Sequence, residues 1–407
     1  MSTFDPIESL ANLRHEFGEH GGVNMSIESS TTFTVMQADT MPDIFHGERG
    51  PEEGCYLYGR HFNPTVYVLG QQLAALEGTE FAYCASSGMG AISSTVLQIC
   101  DQGDHVVASN TIYGGSFALL RDYLPPRTGI QTSFVDIRDH ERVEAAFNDR
   151  TRMLYVESIA NPTLIVADIP RLAEIAHRHG ALLVVDNTFT PLIISPARLG
   201  ADVIVHSLTK FVNGASDIIG GAICGSRQFI SSLMDLHDGS LMILGPTMDP
   251  RMAFQITLRI PHLGLRMVEH SRRAQVFAER LEQLGVKVFY PGLPSHPQHA
   301  LLRELVNPAF GHGGLFGVDF GSEELADAVL DTLQVKDRFG FIAVSLGYFE
   351  TLMSCSGSTT SSELSDEDKA TAEISPGYVR FSIGYTGTLE QRWTQFEDAL
   401  REHGVIS

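Results

Sequence analysis

The sequence predicts an α/β protein, with a doubly wound domain built on a mostly parallel sheet and a smaller α+β region after it. Two patterns predict this fold class. Between residues 63 and 225, short β-rich apolar runs alternate with helical stretches, which is typical of a doubly wound sheet. The runs are also apolar almost throughout, as in strands that helices cover on both faces. The predicted strands are 105–109, 132–137, 152–158, 181–186, 202–207 and 220–225.

One connecting helix is predicted between the strands at 152–158 and 181–186. Asp168 is placed to cap a helix that begins near Pro170, and Gly180 is placed to end it. The apolar face of this helix is formed by Leu172, Ile175 and Ala176. We therefore expect the helix to pack on one face of the sheet.

The length of the chain predicts more than one domain. A chain of 407 residues exceeds what one hydrophobic core usually organises. Residues 1–62 lack a sustained period, which predicts an extended arm with one short helix near 7–16. Residues 63–258 are predicted to form the α/β domain, and residues 259–407 the α+β domain. The last domain ends in a helix with apolar residues at helical spacing, namely Leu389, Trp393, Phe396 and Leu400.

Composition and charge exclude several classes of function. A formal charge of -21 and a pI of about 5.1 repel phosphate backbones, so no nucleic acid partner is expected. No apolar run reaches the ~18–20 residues that span a bilayer, and the first residues lack the pattern of a secretory signal. The five cysteines form no CxxC pair, which is typical of reduced thiols. We expect a cytoplasmic protein that acts on a small molecule, without a membrane partner.

Polar residues follow four of the apolar runs. In open α/β sheets, ligands bind beyond the carboxyl ends of the strands, so these residues are expected to share one crevice. The four sets are Asp186; Ser207, Thr209 and Lys210; Glu157, Ser158 and Asn161; and the glycine-rich stretch 86–90, which opens a helix.

These residue types together fit pyridoxal 5'-phosphate (PLP). Its aldehyde needs a lysine, and Lys210 is the candidate. Its pyridine nitrogen needs a carboxylate, and Asp186 is the candidate. Taken singly, a lysine after a strand is usually a solvated surface residue, and an aspartate there is usually a helix cap. The prediction depends on their conjunction with groups that could bind the phosphate, namely Ser207, Thr209, Gly88 and Met89.

Several motifs resemble those of one enzyme family. The segment VIVHSLTKFVNGASDIIGGAICG around Lys210 is similar to the lysine signature of the Cys/Met-metabolism (trans-sulfuration) family of PLP enzymes. The similarity runs from about residue 12 to residue 400 and implies the aminotransferase-like fold type I. Further matching motifs are YGRHFNPT (58–65), SSGMGAIS (86–93), IYGGS (112–116), ANP (160–162), DNTF (186–189), SLG (345–347) and YVRFSIG (378–384).

The resemblance implies roles at the cofactor. Lys210 would form the Schiff base and shuttle protons, and Asp186 would pair with the ring nitrogen. Tyr113 would stack on the ring and act as a general acid toward the leaving group. Asn161 would lie near the phenolic oxygen of the cofactor.

The resemblance also implies a substrate site and an assembly. Arg380, with Ser345, would grip the substrate carboxylate through its planar fork. Tyr58 and Arg60 would reach the phosphate of a neighbouring subunit. The family therefore implies a homo-oligomer in which a dimer is the catalytic unit, usually within a tetramer.

Within the family, the segments 14–28, 60–66, 352–364 and 384–393 are similar to plant-type methionine γ-lyases. This similarity implies γ-elimination of L-methionine to methanethiol, 2-oxobutanoate and ammonia. Gly115 stands where bacterial methionine γ-lyases carry a cysteine, which implies a roomier pocket. A roomier pocket also suits the alternative, γ-replacement on O-acetyl-L-homoserine. The low-complexity stretch 354–364 is either a flexible loop or part of the substrate mouth.

Other readings of the sequence have less support. His15 and His20 are five positions apart and do not share a helix face, so no metal site is expected there. The stretch 88–93 gives G-x-G-x-x-S, which is an incomplete dinucleotide fingerprint. A non-catalytic member of the family is the second class of hypothesis, and the intact set Lys210, Asp186, Tyr113 and Arg380 argues against it.

Overall fold

The computed structural model describes residues 4–355 and 375–407. In the stretch 354–364, all residues after Cys355 lie outside the described part. Whether that stretch lines the substrate site therefore stays a prediction. None of the helices in the two described ranges combines the length and the apolar composition that a membrane span requires.

The described helices are α1 (Pro6–Ala11), α2 (Thr40–Phe45), α3 (Pro64–Glu77), α4 (Gly88–Ile99), α5 (Gly114–Ala118), α6 (Pro125–Thr128), α7 (His140–Ala145), α8 (Ile169–Arg178), α9 (Arg227–Leu233), α10 (Ser240–Leu244), α11 (Pro250–Thr257), α12 (Leu263–Gln283), α13 (His299–Leu305), α14 (Glu323–Asp331) and α15 (Leu389–Glu402). The described strands are β1 (Phe81–Ala85), β2 (His105–Ser109), β3 (Gln131–Val135), β4 (Thr151–Glu157), β5 (Leu182–Asp186), β6 (Val203–Ser207), β7 (Gly221–Gly225), β8 (Val288–Phe289), β9 (Leu315–Asp319), β10 (Gly340–Ile342), β11 (Thr351–Cys355) and β12 (Tyr378–Ser382).

The large sheet has the strand order β1-β7-β6-β5-β4-β2-β3. Neighbouring strands from β6 to β3 are parallel, whereas β7 is antiparallel to both β1 and β6. Because β1 and β6 are each antiparallel to β7, they run in the same direction as the parallel strands. The carboxyl ends of β1, β4, β5 and β6 therefore lie at one edge of the sheet. The predicted mostly parallel sheet is confirmed.

The predicted strands begin and end within two residues of the observed ones. Most were predictable because their residues are buried almost throughout; all five residues of β2, for example, are buried. The edge strand β3 is only partly buried. The direction of β7 was not predictable, since a short apolar run reads the same in a parallel and in an antiparallel strand.

The helix predicted after Asp168 is α8. The Asp168 carboxylate accepts a hydrogen bond from the N–H of Arg171 at 3.3 Å, and Gly180 follows the helix with a φ of 68°. The apolar face is fully buried at Leu172, Ile175 and Ala176. By contrast, the N-terminal helix predicted near 7–16 is shorter than expected. It is α1, and it ends at Ala11 because the turn after it is mostly polar and offers little apolar surface to pack.

The second sheet has the order β10-β11-β12-β9-β8 and is antiparallel except between β10 and β11. It has a hydrophobic core of its own, to which α15 contributes Trp393, Phe396 and Leu400. The long helix α12 contributes residues to both cores. The predicted domain bounds, 1–62, 63–258 and 259–407, stay a prediction.

Candidate active site

A cavity of about 300 Å³ lies at the carboxyl ends of β4, β5 and β6. The N-terminus of α4 closes one side of it, and the loop before β11 together with β12 closes another. The structure brings most of the predicted site residues together here. Those that line the cavity are Gly88, Met89, Tyr113, Asn161, Asp186, Ser207, Thr209, Lys210, Ser345 and Arg380.

Lys210 lies in the turn that follows β6, and its side chain reaches the loop before β11. Its Nζ donates a hydrogen bond to Ser345 Oγ at 2.8 Å. Burial, with a smaller contribution from the positive charge of Arg380, lowers the pKa of Lys210 to about 8. A larger fraction of this amine than of an ordinary lysine is therefore neutral, and nucleophilic, near neutral pH.

Asp186 is the last residue of β5 and is buried. Its Oδ1 accepts a hydrogen bond from the N–H of Thr188 at 3.0 Å, and its Oδ2 accepts one from the Tyr155 hydroxyl at 3.2 Å. Burial raises the pKa of Asp186 above its ordinary value despite these bonds. A cation placed beside this carboxylate would stabilise its ionised form.

Glu157, the last residue of β4, orders two neighbouring segments. Its Oε1 accepts from the N–H of Tyr113 at 2.6 Å, and its Oε2 accepts from the N–H of Asn161 at 3.0 Å. Burial and the negative charge of Asp186 raise the pKa of Glu157 to about 8. The carboxyl group thus fixes the backbone that carries two of the predicted cofactor contacts.

The N-terminus of α4 and the end of β6 form a polar cradle. Gly88 and Met89 are the first residues of α4, so their N–H groups have no acceptor within the helix. A Cβ atom on Gly88 would lie 2.9 Å from Ser207 Cβ, so only glycine allows the helix to approach β6 this closely. The Thr209 hydroxyl lies next to this contact and accepts a hydrogen bond from the N–H of Gly220 at 3.1 Å.

Arg380, on β12, is only 1% exposed. One terminal nitrogen of its guanidinium donates to Asn161 Oδ1 at 3.2 Å, and the other donates to the carbonyl oxygen of Ser345 at 2.6 Å. Its Nε has no hydrogen-bond partner among the described residues. Burial lowers the pKa of Arg380 to about 10. These partners are neutral, so the guanidinium can still receive an anion.

Tyr58 and Arg60 do not line the cavity of their own chain. Arg60 donates to the carbonyl oxygen of Met242 at 2.7 Å, and its guanidinium lies 5.8 Å from the centre of the Tyr58 ring. Tyr58 is 45% exposed. Their contact with a neighbouring subunit stays a prediction.

A family model described as Cys/Met metabolism PLP-dependent enzyme matches residues 9–397. A methionine gamma-lyase of Arabidopsis thaliana is 61% identical over 397 residues, which are 97% of this chain and 90% of that protein. The chain belongs to the Cys/Met metabolism family of PLP-dependent enzymes. PLP is therefore its cofactor, as predicted.

Other relatives show the breadth of the Cys/Met metabolism family. An O-succinylhomoserine sulfhydrylase of Pseudomonas aeruginosa is 36% identical over 94% of this chain and 92% of that protein. A crystal structure from Campylobacter jejuni contains an N'-pyridoxyl-lysine-5'-monophosphate residue. It matches with a TM-score of 0.89 and 28% identity, over 98% of this chain and 100% of that one. The likeness to such structures confirms the predicted fold class.

The described residues fit the cofactor of the Cys/Met metabolism family at each of its functional groups. An amine whose pKa is lowered to about 8 suits the aldehyde. The buried carboxylate of Asp186 suits a ring nitrogen that carries a proton. The polar cradle at the N-terminus of α4 suits a phosphate. The guanidinium of Arg380, with its unpartnered Nε, suits the carboxylate of an amino acid.

Sequence reasoning noted Glu157 only as a strand end and gave it no role. Its two N–H donors come from residues 44 and 4 positions away, and the more distant contact exists only in the folded chain. A signal was present, because Glu157 ends its strand beside Asp186 in the sheet register. Tyr155 was also missed, since a tyrosine within an apolar run reads as a core residue.

Proposed function

We propose that this protein is a methionine γ-lyase, which converts L-methionine and water to methanethiol, 2-oxobutanoate and ammonia. The observation that carries the proposal is the single cavity shared by an amine, a buried carboxylate and a buried guanidinium, those of Lys210, Asp186 and Arg380. The 61% identity to a methionine gamma-lyase supports this choice of reaction.

In this proposal, three residues hold the cofactor ring. Lys210 would join the aldehyde, Asp186 would hydrogen-bond the ring nitrogen, and Asn161 would lie near the phenolic oxygen. Bound PLP would supply an electron sink that stabilises negative charge on the substrate. Ser207, Thr209, Gly88 and Met89 would hold the phosphate.

The residues around the substrate then bind it and move its protons. Arg380 binds the substrate carboxylate by a charge-assisted fork, and Ser345 fixes the guanidinium through its carbonyl oxygen. The neutral amine of Lys210 takes a proton from Cα, and once it has passed that proton on it is again a base that can take one from Cβ. Tyr113, which is 49% exposed at the cavity, donates a proton to the departing sulfur. Methanethiol leaves, and water replaces the amino group of the remaining four-carbon unit, which yields 2-oxobutanoate and ammonia.

We also propose that the protein works as a homo-oligomer in the cytoplasm. Tyr58 and Arg60 lie outside the cavity of their own chain, and Tyr58 is half exposed, which supports a role toward a second copy. The buried thiols of Cys84 and Cys224 suit a reducing compartment. A dimer would be the catalytic unit, and two dimers would form a tetramer.

A second candidate is γ-replacement on O-acetyl-L-homoserine, which shares the first proton transfers. The likeness to an O-succinylhomoserine sulfhydrylase favours it. The roomier pocket expected from Gly115 does not add to this support, because the Tyr113 ring lies 2.5 Å from where a Cβ of residue 115 would be.

One comparison separates the two reactions. The purified holoenzyme is incubated with L-methionine, and separately with O-acetyl-L-homoserine and a thiol, and 2-oxobutanoate and thioether products are quantified. We expect 2-oxobutanoate and methanethiol in equal amounts from methionine. Product formed only from the acetylated substrate and the thiol would overturn the proposal and establish γ-replacement.

A further inference from the structure

Two buried polar residues of α12 connect the two halves of the active site. Arg266 and His270 are four positions apart, so they lie on the same face of the helix. Both contact Phe211, the residue directly after Lys210. Because α12 also contributes to both hydrophobic cores, its position affects both sheets.

Arg266 binds the turn that carries Lys210. It is 7% exposed, and its terminal nitrogens donate to the carbonyl oxygens of Phe211 at 2.5 Å and Val212 at 2.9 Å. Its Nε donates to His262 Nδ1 at 3.0 Å. Burial lowers the pKa of Arg266 to about 10. Its hydrogen-bond partners among the described residues are neutral, and a buried charge without an acidic partner is costly, so packing alone does not account for it.

His270 connects the same turn to the strand of Arg380. It is fully buried, and its ring meets the ring of Phe211 edge-on with 5.1 Å between centres. Its Nδ1 donates to the carbonyl oxygen of Ile383 at 2.6 Å. Burial lowers the pKa of His270 to about 4, so the ring is neutral at neutral pH. Ile383 lies three residues beyond Arg380.

We propose that Arg266 and His270 are positioning residues that hold the turn of Lys210 in register with the strand of Arg380. This inference rests on the site assigned under the proposed function. A second link between Lys210 and Arg380 runs through Ser345. Its hydroxyl accepts a hydrogen bond from Lys210, and its carbonyl oxygen accepts one from Arg380. That link uses the amine of Lys210, which the cofactor would occupy. The pair on α12 binds backbone atoms, so its link is independent of the amine.

The two residues act on different ends of the site, so their variants have different effects. Arg266→Met removes the donors to the Lys210 turn, and we expect kcat to fall about 10- to 100-fold with little change in KM. His270→Phe keeps a ring against Phe211 but loses the bond to Ile383, and we expect KM to rise more than kcat falls. Arg266→Lys keeps one donor and should recover part of kcat.

Arg273→Met is the matched control. Arg273 lies on the same helix, is equally buried, and donates to the carbonyl oxygens of Thr386 and Gly387. It has no contact with the Lys210 turn. We expect this variant to lose thermal stability but to keep kcat and KM within about twofold.

Two readouts do not depend on turnover. Hydrogen exchange of the cofactor-free protein should speed up at residues 208–214 in Arg266→Met and at residues 381–385 in His270→Phe, but at neither segment in Arg273→Met. L-alanine has no γ leaving group, so its binding to the holoenzymes can be followed by the change in the visible spectrum. We expect His270→Phe to bind L-alanine more weakly than the wild type does.

The outcomes decide between positioning and packing. If folded Arg266→Met and His270→Phe keep wild-type kcat, KM and alanine binding, the inference is overturned. Where Arg266→Met does not fold, the result for His270→Phe decides alone. The same holds if Arg273→Met reproduces their kinetic changes. If the wild type binds alanine but does not cleave methionine, the proposed reaction fails while this inference is still tested by binding and exchange.

Discussion

The two ends of the active site bury ionisable groups of opposite type, and burial disfavours the charged form at both ends. At the Asp186 end, burial raises the pKa of Asp186 and of Glu157, and their oxygens accept bonds from N–H and hydroxyl groups. At the Arg380 end, burial lowers the pKa of Arg380 and of Lys210, and their nitrogens donate to neutral oxygens.

The difference shows which charges the ligands must supply at each end. An acidic end with a raised pKa is stabilised by a cationic ring nitrogen, and a basic end with a lowered pKa is stabilised by a carboxylate. The acidic end is built on the large sheet, and Arg380 on the small one. Variants that change one end alone therefore test whether the two ends act separately.

The largest effect is expected when the amine of Lys210 is removed from the basic end. Lys210→Ala should lose the visible absorption band of the bound cofactor, because the covalent link is gone. Its turnover rate should fall ~10³-fold or more, because the proton carrier is gone as well. Absorption spectra and 2-oxobutanoate release measure the two losses. Lys287→Ala, which removes a surface lysine paired with Asp319, is the control. A Lys210→Ala protein with both band and turnover intact would refute the assignment.

A smaller effect is expected from Arg380→Met, which changes only the basic end. The loss of kcat/KM should correspond to ~2–5 kcal/mol, since the substrate carboxylate loses a buried charged partner. The visible band of the cofactor should persist. The cofactor-free protein should not melt at a lower temperature, because the variant removes a buried charge without an acidic partner.

Arg273→Met provides the contrast in the melting experiment. Arg273 is also buried but donates to Glu269 at 2.7 Å, so its removal should lower the melting temperature. Equal destabilisation by Arg380→Met and Arg273→Met would show that the charge at the basic end is already neutralised.

A third variant tests the role of Tyr113. The Cβ of Gly115→Ala would lie 2.5 Å from Cε1 of Tyr113, so the ring must move. We expect kcat for methionine to fall about tenfold while the KM stays close to wild type, since the general acid is displaced. Gly50→Ala is the control, because a Cβ there meets no atom within 4 Å. Wild-type kcat in Gly115→Ala would remove Tyr113 from the proton transfer.

The smallest effect is a shift in pH dependence. In the proposed function, the amine of Lys210 reacts with the cofactor aldehyde only when it is neutral, and its pKa is lowered to about 8. The rate at which cofactor-free protein takes up PLP should therefore rise with pH and level off above about pH 8. Arg380→Met removes a positive neighbour that helps to lower this pKa, so its midpoint should move to higher pH. An unchanged midpoint would mean that burial alone sets the pKa.

Much of the fold and of the site could be predicted because both follow from local patterns. The apolar runs mark the strands, and polar residues directly after them, such as Asp186 and Lys210, must meet at one edge of a parallel sheet. Contacts that depend on distant segments could not be predicted. Glu157, for example, accepts a hydrogen bond from the N–H of Tyr113, which is 44 positions away in the sequence.

The residues on α12 were missed for another reason. Arg266 and His270 interrupt a buried apolar stripe that includes Leu263, Met267 and Ala274. A charged or titratable residue on a buried helix face was the available signal. The sequence alone does not show which carbonyl oxygens such residues reach, because those oxygens belong to other segments.

The insertion of β7 between β1 and β6 has a consequence for cofactor binding. Among the described strands, β1 pairs only with β7, so β7 holds the chain around Gly88 beside β6 and Ser207. In the proposed function these residues contact the phosphate of PLP, and their pocket is complete only when residues 221–225 lie in the sheet. PLP would therefore bind the assembled sheet and stabilise the folded state by mass action.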